Sequence, residues 1–433
     1  MTLEKMFKLK EYGTSVKTEL TAGVTTFMAM AYIIAVNPAI LSATGMDRGA
    51  VMTATIVSAV VATLIMAFYA KLPFAMASGM GFNAFFTYTI VLGMGKSWQF
   101  ALTAVFVGGI IYLLLTLFKV RELLLEAVPP TLRKAIAAGI GLFVATIGLT
   151  NAGIIVQGPP LVSLGDITGG GAASLAFIGI IITSALLVLK IKAALLLGII
   201  ITTIIGIPLG VTDIAGLTSP VSLPHSLAPV FWQFDFSELF SFDMLLVIFV
   251  IIFLNIFDTM GALIGIALKV GLVDKKGNIL NSRQAFLTDA FSSIFGAALG
   301  TSPQVIFVES AAGVTAGGRT GLTAATVAVL FALMLFFSPL FLIIPAAATT
   351  PALVMVGVFM LASLIDIDLT DYANAIPAFI TIIMMPLTYS IASGVAIGLI
   401  TYTLIRLLTG RFKEVKPITL IMAVFFVAMQ FLI

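Results

Sequence analysis

Long apolar segments separated by short polar connections run through most of the chain. A membrane-spanning helix needs about 20 mainly apolar residues. By that measure we place fourteen spans, numbered 1 to 14, at residues 20–43, 49–70, 74–92, 98–118, 132–152, 172–190, 192–210, 242–266, 286–301, 304–319, 321–342, 347–364, 375–390 and 391–409. Residues 417–433 are apolar but follow basic residues, which favours an interfacial helix over a fifteenth span. The pattern predicts an all-α polytopic membrane protein.

Composition supports this class and excludes others. Of 433 residues, 61% are hydrophobic and 9% are charged, which excludes a soluble globular domain. The absence of Cys excludes disulfides and thiolate metal sites, and the formal charge of +3 gives no reason to expect nucleic-acid binding.

The distribution of basic residues predicts an orientation. With the N-terminus in the cytoplasm, Arg48 and Lys96 fall outside, and the remaining Lys and Arg residues of the 22 fall inside. Residues 153–171 and 211–241 contain no Lys or Arg, as expected for loops on the outer side. The chain is therefore expected to be a multi-pass protein of the cell (plasma or inner) membrane, without a cleavable signal.

The chain also matches itself at a shift of 232 residues. This shift aligns Ser78 with Ser310, Gly81 with Gly313 and Asn83 with Thr315. Two copies of seven spans must enter the membrane from opposite sides, which gives inverted repeats (7+7) of the kind found in transporters.

Spans 3 and 10 are the corresponding segments that glycine and proline interrupt, and such segments point to a transporter's binding site. They begin after Pro73 and Pro303, and each is expected to start extended and continue as a half-helix. The alternative is that their glycines only permit close helix packing.

Three acidic residues, Asp258, Asp289 and Glu309, lie inside predicted spans rather than in loops or at span ends. An ionisable group within the bilayer is costly and suggests function. If the two broken halves meet, Asp258 and Glu309 converge on one pocket that repels anions and accepts N–H donors or exchanges protons. The alternatives are a buried interhelical hydrogen bond for Asp258 and a capping acid balanced by Arg283 for Asp289.

Three segments together resemble the AzgA-like purine permeases of the nucleobase/ascorbate transporter superfamily. They are Val308–Thr323, Asp258–Gly261 and Met80–Phe86, and the resemblance covers nearly the whole chain. Glu309 is followed by Ser310, whereas uracil and xanthine carriers have a Gln-Asn or Glu-Asn pair there.

The resemblance implies import of hypoxanthine, adenine and guanine by symport with a cation, usually a proton, and no resident cofactor. It implies an elevator-like alternating-access mechanism, a small-molecule purine and the lipid bilayer as partners, and a possible homodimer through the gate domain. It places the acids of spans 8 and 10 at Asp258 and Glu309, the asparagine of span 3 at Asn83, and a base-stacking aromatic at Phe307. With Ser78 and Ser310, these form the expected substrate site, and Glu309, Asp258 and Asp289 the expected proton-coupling groups.

The implied domains are a cytoplasmic segment (1–19), a core domain (20–118 and 242–342), a gate domain (119–210 and 343–409) and a cytoplasmic-side tail (410–433).

The rival functions are an anion carrier of the sulfate-permease type, which shares this architecture, and a channel. The acidic pocket disfavours the anion carrier. An enzyme is not expected, since one His and no Cys cannot supply a metal cluster.

Overall fold

The structure is a computed structural model that describes residues 3–118, 128–158, 161–215, 217, 219–270 and 281–432. It is a helical bundle with two pairs of short strands. In span order, the helices are Val16–Met30 with Ile33–Leu41, Arg48–Ile65, Met80–Ala84 with the π-helical Phe85–Gly93, Trp98–Leu117, Pro130–Asn151, Ala172–Val188, Ala194–Gly206, Phe242–Val270, Ser282–Leu299, Ser310–Thr315, Gly321–Met334 with Ser338–Leu342, Ala346–Leu361, Tyr372–Thr388 and Ile391–Leu408.

Every predicted span therefore coincides with a helical segment, and the predicted fold class is confirmed. Seven helices in the described ranges are long and apolar enough to cross a membrane. A further helix, Pro417–Leu432, packs against span 14. Its position relative to the membrane stays a prediction.

The four strands are β1 (Met76–Ser78), β2 (Ile155–Gln157), β3 (Val162–Leu164) and β4 (Gln304–Ile306). β2 and β3 form a hairpin in the connection between spans 5 and 6. β1 and β4 belong to the broken spans 3 and 10 and pair antiparallel inside the bundle. Both broken spans thus start extended and then become helical, as their Pro and Gly residues predict.

The register of the repeat differs from the sequence match in this region. β1 and β4 begin at an offset of 228 residues, and the two half-helices begin at Met80 and Ser310, an offset of 230. Asn83 therefore occupies the helix position of Gly313 rather than that of Thr315. Apolar, glycine-rich segments match one another at several registers, so sequence alone did not select the structural one.

The helices pack in two sets. Spans 1, 2 and 11 pack together, span 10 packs against span 1, and spans 8 and 9 pack against span 4. Span 12 packs against spans 5 and 6, and span 13 against spans 5 and 14. A Cβ added at Gly357 would lie 2.6 Å from the carbonyl oxygen of Gly141, so spans 5 and 12 meet backbone to backbone. We call the sets core and gate. The proposed boundary at 118/119 adjoins residues outside the described ranges, and the helix of span 1 already begins at Val16.

Glu19 lies within span 1 and is fully buried, although its sequence neighbours suggested a polar cytoplasmic segment. Its carboxylate accepts hydrogen bonds from the backbone N–H groups of Arg319 (2.9 Å), Thr320 (3.3 Å) and Thr323 (3.2 Å), and from the Thr323 hydroxyl (2.6 Å). The first N–H groups of a helix have no partner within the helix. The Glu19 carboxylate is the hydrogen-bond acceptor for the N–H groups at the start of span 11, and so it joins spans 1 and 11.

We predict that Glu19→Ala leaves these buried N–H groups without a partner and costs about 2 kcal/mol of stability. The measurement is the melting temperature of the purified protein in detergent. Glu11→Ala is the control, because Glu11 is exposed and pairs with Lys8 at 3.0 Å. Equal melting temperatures for the two variants would contradict this role.

Candidate functional site

A cavity of about 840 Å³ lies between the core and the gate. On the core side it is lined by Tyr32, the first turn of the span 3 half-helix, Asp258 and the segment from Val305 to Glu309. On the gate side it reaches Pro130, the first residue of the span 5 helix, and Asp366 at the end of span 12. The cavity therefore runs from the broken helices to one end of the bundle.

Glu309 lies immediately before the span 10 half-helix, at its N-cap position, but its side chain makes no capping hydrogen bond. Instead, Oε1 accepts a hydrogen bond of 2.6 Å from the hydroxyl of Tyr32 in span 1. Glu309 is half-buried and lines the cavity. The break in span 10 thus places a carboxylate at the cavity wall, where a ligand can reach it.

Asp258 lies on span 8 and lines the same cavity, and its side chain is accessible from it. It interacts electrostatically with Glu309. The two carboxylates expected to converge on one pocket are therefore brought together. The cavity's basic residues lie at its gate end, where Arg133 Nε donates to the Val128 carbonyl and Lys134 Nζ to the Asp366 carbonyl, each at 2.7 Å.

Phe307 gives the cavity an aromatic surface. Its side chain is only 4% exposed, and its ring centroid lies 6.3 Å from that of Tyr32, with the planes inclined by 43°. The carboxylates and the two rings together offer hydrogen-bond acceptors beside a flat apolar surface. Such a site suits a flat, neutral ligand with N–H donors.

The other predicted site residues of spans 3 and 10 are buried outside the cavity lining. Ser78 Oγ accepts hydrogen bonds from Gln304 Nε2 (2.9 Å) and Asn37 Nδ2 (3.3 Å), and lies 3.1 Å from Thr301 Oγ1. This network joins span 1 to both broken spans. The structure therefore places Ser78 where it fixes the two strands relative to each other.

Asn83 and Ser310 have comparable positions. Asn83 Oδ1 accepts a short hydrogen bond from the Ser302 hydroxyl, and Ser310 Oγ accepts one of 3.0 Å from the backbone N–H of Ala75. Both side chains are fully buried. Ser310 connects span 10 with the start of span 3, and Asn83 connects span 3 with the segment just before span 10, so both support the cavity wall from behind.

Asp289 is fully buried in the middle of the span 9 helix, which begins at Ser282. Its Oδ2 accepts a 2.6 Å hydrogen bond from Thr259 Oγ1, one residue after Asp258. The interpretation of Asp289 as a capping acid at a helix end is therefore wrong. Asp289 contacts span 8 behind the cavity, and its part in proton coupling stays a prediction.

The sequence interpretation missed Tyr32 and the members of the buried network, Asn37, Thr301, Ser302 and Gln304. Asn37 and Gln304 carried a signal, since an amide inside an apolar span needs a polar partner. Tyr32 carried none, because an aromatic residue in a span usually faces lipid or other helices. Its place became evident only when span 10 was seen beside span 1.

A family model described as the permease family (Xan_ur_permease) matches residues 17–397. The chain belongs to this permease family and is a multi-pass membrane protein, which confirms the resemblance seen in the sequence. It is 46% identical to the putative permease MJ0326 of Methanocaldococcus jannaschii, over 98% of this chain and 97% of that protein.

Several relatives have a substrate in their name, and two of them illustrate the range. The chain is 42% identical to the adenine permease AdeP of Escherichia coli, over 98% of this chain and 95% of that protein. It is 41% identical to the guanine/hypoxanthine permease PbuG of Bacillus subtilis, over 96% of both chains.

Among solved structures, the transmembrane domain of the cyanobacterial bicarbonate transporter BicA matches with a TM-score of 0.66 and 19% identity, over 87% of this chain and 97% of that one. Murine Solute Carrier 26 family member A9 matches with a TM-score of 0.62 and 12% identity, over 94% of this chain and 71% of that one. At these identities the likeness concerns the fold alone.

We predict that Ser78→Ala destabilises the protein by about 1–3 kcal/mol, because buried donors of Asn37 and Gln304 lose an acceptor. The melting temperature in detergent measures this. Ser226→Ala is the matched control, since Ser226 lies in an exposed loop. A Ser78→Ala protein as stable as the control would show that the network does not hold the two strands.

Proposed function

We propose that the protein imports the purine nucleobases hypoxanthine, adenine and guanine across the cell membrane. The observation that carries this proposal is the pair of carboxylates, Asp258 and Glu309, beside the Phe307 and Tyr32 rings in one cavity. The names of relatives that align along nearly the whole chain support the same substrate class.

The chemistry of a purine fits this cavity. A purine base is flat and neutral and carries ring and exocyclic N–H groups, so it needs acceptors at its edge and an apolar surface at its face. Glu309 and Asp258 supply acceptors, and Phe307 and Tyr32 supply aromatic surface. A bound anion would meet two carboxylates, which disfavours the rival anion carrier even though the two solved structures named above are those of a bicarbonate transporter and an anion transporter.

We propose that uptake is symport with a cation, most simply a proton, which Glu309 and Asp258 exchange, with Asp289 as a further proton partner. While a base is bound, the proton lies on Asp258, and Glu309 stays ionised as an acceptor for the base. Carboxylates that lie close together inside a membrane protein readily exchange protons. Asp289 accepts a hydrogen bond from Thr259, the residue that directly follows Asp258 in span 8.

We further propose an elevator-like mechanism, in which the core carries the site past the gate. In the conformation described, hydrogen bonds join core to gate at the end of the bundle away from the cavity opening, among them two made by the end of span 3. Asn151 Nδ2 donates to the Tyr88 hydroxyl at 2.5 Å, and Thr89 Oγ1 donates to the Tyr389 carbonyl at 3.3 Å. These contacts would close the site to one side of the membrane while the cavity is open to the other side. With the N-terminus in the cytoplasm, this is an inward-open state. A homodimer through the gate stays a prediction.

Replacing Glu309 by Gln is expected to reduce purine uptake at least tenfold, because the amide replaces one acceptor by a donor. The measurement is saturable uptake of radiolabelled hypoxanthine, adenine and guanine into proteoliposomes with and without a pH gradient. Glu11→Gln makes the same chemical change outside the site and serves as the control. Unchanged uptake by Glu309→Gln would refute the assignment. Non-saturable flux in the unmodified protein would favour a channel instead.

Replacing Asn151 by Ala is expected to weaken the closed side and to let reagents enter the cavity from there. Because the chain contains no Cys, a single Val308→Cys substitution reports access to the cavity wall without background. We expect a membrane-impermeant thiol reagent added from outside to react several-fold faster when Asn151→Ala is also present. Equal reaction rates with and without Asn151→Ala would contradict a closing role for the Tyr88–Asn151 contact.

A further inference from the structure

We propose that Tyr32 sets the pH range over which the site binds a purine, by holding Glu309 ionised and in a fixed orientation through its hydroxyl. The proposal rests on the proposed function. It assigns a positioning residue that the sequence did not indicate.

Tyr32 occupies a fixed position in span 1. It lies at the break between the helices Val16–Met30 and Ile33–Leu41. The backbone tightens there, since Ile34 N–H bonds to the Ala31 carbonyl (3.1 Å) and Ala35 N–H to the Tyr32 carbonyl (3.1 Å). Such a turn rotates the following residues relative to a regular helix. It fixes the backbone that carries the Tyr32 ring.

Tyr32 contacts Glu309 directly. The Tyr32 side chain is 1% exposed yet contributes to the cavity wall, and its hydroxyl donates to Glu309 Oε1 at 2.6 Å. A hydrogen bond from a hydroxyl to a carboxylate is short and strong when the acceptor is ionised. Tyr32 therefore engages one oxygen of Glu309 and leaves the other for an N–H group of the base.

Charged groups of both the core and the gate surround Glu309 in the cavity. The titratable group that faces Glu309 from span 8 is Asp258, in the same cavity, and the charged groups of the gate, Arg133, Lys134 and Asp366, line its far end. Two neighbouring carboxylates favour protonation of one of them, whereas a hydrogen bond donated to the charged form opposes it. Tyr32 is the donor that the structure places on Glu309. Without this hydrogen bond, Glu309 is protonated more readily. A protonated carboxyl group offers the base one acceptor fewer.

The ring adds a second constraint. With its centroid 6.3 Å from that of Phe307, it keeps the aromatic surface beside the carboxylates. Tyr32→Phe removes the hydroxyl but keeps this surface. The variant therefore separates the hydrogen bond from the packing.

The test is equilibrium binding of radiolabelled hypoxanthine, adenine and guanine to the purified protein in detergent, from about pH 5 to about pH 9. For Tyr32→Phe we expect about tenfold weaker binding at neutral pH, with recovery towards the unmodified protein at alkaline pH. Tyr69→Phe is the matched control, since Tyr69 is 51% exposed and lies outside the cavity lining. In a Glu309→Gln background, adding Tyr32→Phe should leave the pH dependence unchanged.

The outcomes are distinguishable. If the unmodified protein binds none of the three bases, the proposed function fails. If it binds a base and Tyr32→Phe binds equally at every pH, the inference about Tyr32 is overturned. Equal weakening at every pH also overturns it, because the hydroxyl would then act without changing the ionisation of Glu309. A gel-filtration profile and melting temperature for each variant show that the comparison is made on folded protein.

Discussion

The structure depends on the antiparallel pairing of β1 and β4 inside the bundle. Backbone N–H and C=O groups that leave a helix within a membrane must find partners in the protein. Met76 to Ser78 and Gln304 to Ile306 find them in each other, and the ladder is continued by the Gly79 N–H to the Pro303 carbonyl and the Phe307 N–H to the Ala75 carbonyl, both at 3.0 Å. This pairing allows two interrupted spans to exist, and it sets Phe307 and Glu309 at the cavity wall.

The polar side chains buried behind the β1–β4 ladder have a different role from those that face the cavity. Ser78, Asn83 and Ser310 hold spans 3 and 10 together, and Asn37 and Gln304 extend the network to span 1. In front, Glu309 and Asp258 face the cavity. Residues of one short motif thus divide between support and ligand contact, because successive side chains of a strand and a helix point in different directions.

The cavity is made by two sets of helices that differ in how they pack. The gate has close backbone contacts such as Gly141 with Gly357, whereas the core has the buried polar ties of Glu19 and of the paired strands. In the proposed mechanism, these two sets move relative to each other as units. The carboxylates belong to the core, so a movement of the core would carry the site with it.

The sequence by itself determined the membrane class, the fourteen spans and the interrupted helices, because span length, apolar character and Pro and Gly positions are local properties. It also singled out Asp258 and Glu309, since a carboxylate within an apolar span is costly wherever the span lies. Tertiary structure alone decided the repeat register, the burial of Glu19 and Asp289, and the separation of Ser78, Asn83 and Ser310 from the cavity. It alone revealed Tyr32, whose partner is 277 residues away. These features depend on which spans become neighbours, and a hydrophobic pattern is nearly the same for every arrangement of neighbours.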